Sequence, residues 1–215
     1  MPVLAKICGV NAPDAVAAAV AGGAGYIGLV FYPPSPRYVT PGEAAALVAD
    51  VPRGVARVGL FVDADDDALA ATLAEVELDV VQFHGDESVA QVAAARQRFG
   101  VPVMKAIKVS CEADVEAAGA YARVADRLLF DARAPEGHPG ALPGGNALAF
   151  DWRLIAGRRW PVPWMLSGGL DADNVAEAVA VSGASAVDAS SGVEDRRGHK
   201  SAEKIAAFLA AVRRL

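Results

Sequence analysis

"YIGLVFYPPSPRYVTPGEAAALVADV", residues 26–51, holds the unit on which the fold turns. Its first six residues, 26–31, form an apolar run broken only by a glycine. A strand with one wet face alternates apolar with polar, whereas a strand covered on both faces reads as a continuous apolar run. A proline-rich turn follows. Then "PGEAAALVADV" (41–51) opens with proline and carries Ala, Leu and Val at helical period. Strand, turn and helix in that order make half of a parallel crossover.

The unit recurs along the chain. Strand-like runs are "LAKIC" (4–8), "YIGLVF" (26–31), "ARVGLFV" (56–62), "VVQFH" (80–84), "VPVMKAIKV" (101–109), "RLLFD" (127–131), "PWMLSGG" (163–169) and "AVDAS" (186–190). The helical segments are "PDAVAAAVAGG", "PGEAAALVADV", "DDDALAATLAEV", "DESVAQVAAARQRFG", "CEADVEAAGAYARV", "DWRLIAG", "DNVAEAVAVSG" and "SAEKIAAFLAAVRRL". Asp14, Asp65, Asp86, Asp173 and Ser201 stand where N-caps or first-turn acids belong, and Gly22, Gly100 and Gly183 where C-caps belong. Spread over eight units, 215 residues give about 27 each, near the minimum for a strand, a helix and two loops. Strict alternation predicts an all-parallel sheet, and eight units predict closure into a single-domain (β/α)8 barrel over 1–215. An open doubly wound sheet is the alternative, but no GxGxxG follows the first strand.

Composition narrows the functional classes. Apolar residues make up 53% and charged residues 21%, which describes a globular chain. The net charge is −6, and no Lys/Arg run exceeds a pair, so a nucleic-acid partner is not expected. An anionic small molecule remains compatible, because backbone N–H groups hold phosphate well. Two cysteines, Cys8 and Cys111, make no disulfide framework and suit a reducing cytoplasm. The three histidines show no metal-ligand spacing, so no metal is expected. The uncharged stretch 15–36 is interrupted by "AGGAGYIG" and closed by prolines, so it reads as a buried helix and strand rather than a membrane span. No signal peptide is evident at the N-terminus. No exposed apolar stripe is evident either, which favours a monomer or a weak dimer.

In a barrel the chemistry collects where strands end. Cys8 ends the first strand, His84 the fourth and Asp131 the sixth; Arg37 lies in the loop after the second. Cys8 is either a small core residue or a reactive thiol. Lys6 shares its face, and an ammonium there is expected to lower the thiol pKa. Asp131 precedes an 18-residue Gly/Pro-rich loop (132–149) rather than a helix, which weakens the reading of it as a cap. The two are candidates for a base and acid pair across the barrel mouth. "SGGL" (167–170) and "SSGV" (190–193) end strands 7 and 8, where barrels often bind phosphate. Arg37 could fork a carboxylate, though a surface arginine on a proline-rich turn is the commoner case. A single histidine such as His84 is more often structural than catalytic.

The ordered set "KICGV", "GLVFYPPSPRYV", "VQFHGDE", "LLFDA", "PGGNALAFDW", "SGGL…NV" and "VDASSGVE" closely resembles the N-(5′-phosphoribosyl)anthranilate isomerases of tryptophan biosynthesis, through all eight units. The resemblance implies a cofactor-free barrel that performs an Amadori rearrangement of a small phosphorylated substrate. It implies Cys8 as general base, Asp131 as general acid, and Arg37 as the partner of the anthranilate carboxylate. It places His84 and Asp188 in the substrate site, and Gly168, Gly169, Ser190, Ser191 and Gly192 around the phosphate. Two positions depart from the family pattern: Ala147 replaces a glycine of the Gly-rich piece, and Ser201 replaces an acid. The alternatives are the related isomerase of histidine biosynthesis, which resembles a barrel with an aspartate in place of Cys8; an indole-glycerol-phosphate synthase, whose lysine–glutamate set is not found; and a non-catalytic phosphate-binding barrel.

Overall fold

The computed structural model describes residues 2–134, 142–146 and 148–215. Eight strands close a barrel in chain order: β1 (Leu4–Cys8), β2 (Tyr26–Val30), β3 (Ala56–Phe61), β4 (Val80–Phe83), β5 (Val103–Val109), β6 (Arg127–Ala132), β7 (Trp164–Leu166) and β8 (Ala186–Ala189). Neighbouring pairs are parallel, and β1 seals the barrel against β8 with Lys6 level with Asp188. An antiparallel ribbon, β9 (Glu194–Arg196) and β10 (His199–Lys200), follows β8. Among the described residues the helices are α1 (Pro13–Ala21), α2 (Pro41–Val48), α3 (Asp66–Glu75), α4 (Val89–Phe99), α5 (Glu112–Tyr121), α6 (Val175–Ser182) and α7 (Ala202–Val212).

The sixth unit differs from expectation. "DWRLIAG" forms a single 3-10 turn, Trp152–Leu154, not an α-helix. Seven residues are too few to recover the cost of nucleation. Asp151 accepts from the Arg153 backbone and side chain, Ile155 is buried, and Gly157 turns out at φ +70°.

Two caps also shift. Ser88, not Asp86, starts α4: its hydroxyl accepts from Gln91 N–H while Gln91 returns to Ser88 N–H. Asp86 instead pairs with Lys108. Asn174, not Asp173, precedes α6, and the nearby Asp171 carboxylate takes the N–H groups of Asp173 and Asn174. Asp65 and Ser201 cap α3 and α7 as expected, and Asp14 lies in the first turn of α1.

Core side chains sort by strand alternation. One set, including Ile7, Ile27, Leu128, Phe130 and Val187, packs outward against α1, α5, α6 and α7. Leu29, Phe61, Val81 and Phe83 pack under α2, α3 and α4. Each such burial stabilises by about 1.5–3 kcal/mol. The other set, Tyr26, Val58, Val80, Met104, Leu129 and Met165, fills the barrel interior. Two steps further along β3, β6 and β7, Leu60, Asp131 and Ser167 arrive at the C-terminal rim, and that step begins the site. Among the described residues no helix is long and apolar enough to cross a membrane.

Candidate active site

Cys8, His84, Asp131, Ser167, Asp188 and Ser190 line one cavity at the rim, together with the apolar Val30 and Leu60. Arg37, Gly168, Gly169 and Ser191 also line it, as do the described loop residues Leu142, Pro143, Gly144 and Gly145. Positions 135–141 and 147 of the long loop, including the Gly-to-Ala departure at Ala147, lie outside the described residues.

Cys8 and Lys6 both face inward and both are buried. Gly28 of β2 makes room for them: a Cβ there would lie 3.0 Å from Cys8 Sγ and 3.2 Å from Lys6 Cε. Lys6 Nζ donates to Asp188 Oδ1 at 2.9 Å, and Ser167 Oγ donates to Asp188 Oδ2 at 3.1 Å. Burial works against the Lys6 ammonium, yet the Asp188 charge, with that of Cys8, holds its pKa above the ordinary lysine value. The expected depression of the Cys8 pKa does not occur. Burial pushes the thiol up, and the opposing pull of Lys6 is offset by the Asp188 carboxylate beside it. The lysine is an ion-pair member, not a free cation.

Asp131 Oδ1 accepts from Ala132 N–H at 2.9 Å, and Oδ2 lies 3.0 Å from His84 Nε2. The other ring nitrogen, Nδ1, lies 2.9 Å from Gln82 Nε2. His84 is therefore a partner of the acid rather than an isolated ring. Behind it, the buried Lys105–Glu87 pair pins the backbone: Glu87 Oε1 accepts from the N–H groups of Asp63 and Gly85, and Lys105 donates to Gly85 O.

The strand-7 turn carries two consecutive left-handed residues, Gly168 at φ +94° and Gly169 at φ +62°. Glycine-rich turns of this kind can present successive backbone N–H groups to an anion. At the end of the neighbouring strand β8, Ser190 is gripped by Lys200 Nζ, at 2.9 Å from its carbonyl and 3.2 Å from its hydroxyl. Gly192 packs against the Leu170 carbonyl, where any Cβ would collide.

Arg37 is only 3% exposed, so the surface-arginine alternative is wrong. Its Nε and Nη2 already meet the Glu194 carboxylate at 2.6 and 3.0 Å, and Nη2 also donates to Gly145 O. That edge of the guanidinium is occupied, so the expected bidentate fork to a ligand would have to use Nη1 or displace Glu194. Gly9, at φ +73°, lets the Arg37 stem cross the end of β1, since a Cβ there would overlap Cδ. Glu194 also accepts from Lys200 Nζ at 2.7 Å and Gly198 N–H at 3.0 Å. Glu194, Lys200 and Gln82 were not singled out from sequence. Only Gln82 left a signal there, as a polar residue inside the apolar run "VVQFH".

A closed parallel barrel with a thiol, a carboxyl–imidazole pair and a two-glycine turn gathered at its C-terminal rim has the build of an enzyme of the (β/α)8 class. The comparisons are narrower. A model of the family described as N-(5'phosphoribosyl)anthranilate (PRA) isomerase matches residues 5–211. The N-(5'-phosphoribosyl)anthranilate isomerase of Rhodospirillum centenum is 60% identical over 210 residues, covering 98% of each chain. Phosphoribosyl anthranilate isomerase from Thermotoga maritima superposes with a TM-score of 0.88 at 35% identity, over 99% of this chain and 100% of that one. A solved isomerase in complex with reduced 1-(o-carboxyphenylamino)-1-deoxyribulose 5-phosphate gives a TM-score of 0.84 at 34% identity, with the same coverage. The chain belongs to the N-(5'-phosphoribosyl)anthranilate isomerase family.

Proposed function

We propose that the chain catalyses the Amadori rearrangement of N-(5-phosphoribosyl)anthranilate to 1-(2-carboxyphenylamino)-1-deoxyribulose 5-phosphate in tryptophan biosynthesis. The observation that carries the reading is the opening of Cys8 and Asp131 on one cavity that the Gly168–Gly169 turn, Ser190 and Ser191 also line. Asp131 protonates the furanose ring oxygen and the ring opens to an iminium. The iminium acidifies the adjacent C–H. Cys8, as thiolate, removes that proton and leaves an enolamine, which tautomerises to the ketone. Only protons move, so the steps balance without a redox partner. Burial that raises the Cys8 pKa also makes its thiolate a stronger base toward carbon, at the expense of the fraction ionised. Arg37 Nη1 meets the anthranilate carboxylate, and the glycine turn with Ser190, Ser191 and the packing of Gly192 seats the phosphate. Asp188 contributes by holding Lys6 beneath the thiol. We place the chain in the reducing cytoplasm on its two free cysteines. A monomer or weak dimer is supported by a described surface whose exposed large apolar side chains are Leu4, Tyr38 and Leu215.

The test is a fluorescence assay of phosphoribosylanthranilate consumption. Cys8→Ala and Asp131→Asn should each lower turnover by about a hundredfold or more, with the fold intact by circular dichroism. Full activity in either variant overturns the acid/base assignment, and an inactive wild type overturns the substrate.

A further inference from the structure

Gln82 lies in β4, two residues before His84 on the same inward face, and is completely buried. Its level neighbours are Leu60 on β3 and Met104 on β5. A primary amide in such surroundings is unfavourable unless its polar atoms find partners. Gln82 meets that demand at one end only. Nε2 reaches His84 Nδ1 at 2.9 Å, while Oε1 has no partner among the described residues. Leucine or methionine would fill similar space with no orphaned oxygen. The amide is therefore explained by what it does to the imidazole.

A neutral imidazole carries one N–H and one lone pair. An amide N–H aimed at Nδ1 needs the lone pair there, which leaves the proton on Nε2. Nε2 faces Asp131 Oδ2 at 3.0 Å. We propose that Gln82 is a positioning residue that fixes His84 as the Nε2–H tautomer, so that the ring donates to Asp131. Asp131 then has a donor on each oxygen, Ala132 N–H on Oδ1 and His84 on Oδ2. Those donors stabilise the carboxylate that remains once the acid has given up its proton. With the amide reversed, Oε1 would accept from Nδ1–H and Nε2 would turn its lone pair toward Asp131. The ring would then compete with the substrate oxygen for the same proton. Gly144 backs the arrangement from above: a Cβ there would lie 2.5 Å from His84 Nε2 and 2.8 Å from Asp131 Oδ2, so backbone covers the pair closely.

The inference rests on Asp131 as the general acid, but its first test does not. In 15N-labelled protein, long-range 1H–15N correlation, assigned against the H84N variant, reads the His84 tautomer directly. The expected wild-type result at neutral pH is a protonated Nε2 and an unprotonated Nδ1. Proton on Nδ1 overturns the proposal without any variant. Gln82→Glu places an acceptor opposite Nδ1 and should switch the ring to Nδ1–H; Gln82→Leu should give a mixture. Both should lower kcat roughly tenfold or more, part of what a general acid supplies, with KM changed far less. An unchanged tautomer or an unchanged kcat in folded Gln82→Leu also overturns it. An inactive wild type with the expected tautomer would instead remove the proposed reaction and leave the tautomer assignment standing.

Discussion

Replacing Glu194 with alanine tests how the site is held together. The carboxylate lies between two buried cations, Arg37 and Lys200, and also takes the Gly198 N–H. Truncation leaves two positive groups facing each other without an anion. Removing one partner of a buried pair destabilises by about 3–5 kcal/mol, because the remaining charge is stranded. Domains of this size are stable by only about 5–15 kcal/mol, so Glu194→Ala removes roughly 30–50% of the total in the middle of that range. At about 2–4 °C per kcal/mol the midpoint should fall by roughly 6–20 °C in a thermal melt followed by circular dichroism. Function should suffer through KM, since the same deletion frees Arg37 on the carboxylate side and Lys200 under Ser190. Adding Lys200→Met removes one of the stranded cations, so the double variant should be more stable than Glu194→Ala alone. A pH series adds a sign. Burial opposes ionisation of Glu194, but the Arg37 hydrogen bond and the Lys200 charge prevail, and its folded pKa sits below the ordinary 4.5. Its contribution is therefore complete above pH 4.5 and is lost as pH falls through the lower folded value. The double variant should lack that part of the acid limb. A Glu194→Ala protein within 1 kcal/mol of wild type, or a double variant no better than the single, would refute the reasoning.

Two further outcomes follow from the same packing. In a Cys111→Ser background, iodoacetamide should alkylate Cys8 at a rate that keeps rising with pH and does not level off below about pH 9, the ordinary thiol value above which burial holds this one. Lys6→Met should slow alkylation further at any given pH, and a plateau between pH 7 and 8 in the wild type would contradict the assigned direction. Gly28→Ala puts a methyl 3.0 Å from Cys8 Sγ and 3.1 Å from its Cα. It should cost about 1–3 kcal/mol in chemical denaturation and lower kcat by moving the thiol; a neutral effect on both would show that the interior has slack.

The residues that sequence placed at the rim, and that the structure finds lining the cavity, are those that depend on position within one unit. Cys8 and Asp131 were found because each closes an apolar run, and the strand-7 turn because two glycines follow one. What escaped involves distant chain. Arg37 and Glu194 are 157 positions apart, and Lys6 and Asp188 are 182 apart. Gln82 was legible as an oddity in its strand, but its use appears only once His84 and Asp131 are set in line with it. "DWRLIAG" misled because a short amphipathic segment fits a helix and a 3-10 turn alike, and packing around Ile155 decides between them.

Sequence alone determined the alternation of covered strands with capped helices, and hence the barrel and the rim on which chemistry collects. Those follow from side-chain period and local capping, which act within a few residues. Tertiary structure alone decided the electrostatics. An ammonium beside Cys8 ought to favour the thiolate, but closure of β1 on β8 sets Asp188 level with Lys6 and buries all three groups. Desolvation and Coulomb interaction depend on burial and distance, and both were set by strands from opposite ends of the chain. For that reason the Cys8 thiol is held above its ordinary pKa by burial, and Arg37 is a buried, held guanidinium rather than a surface one.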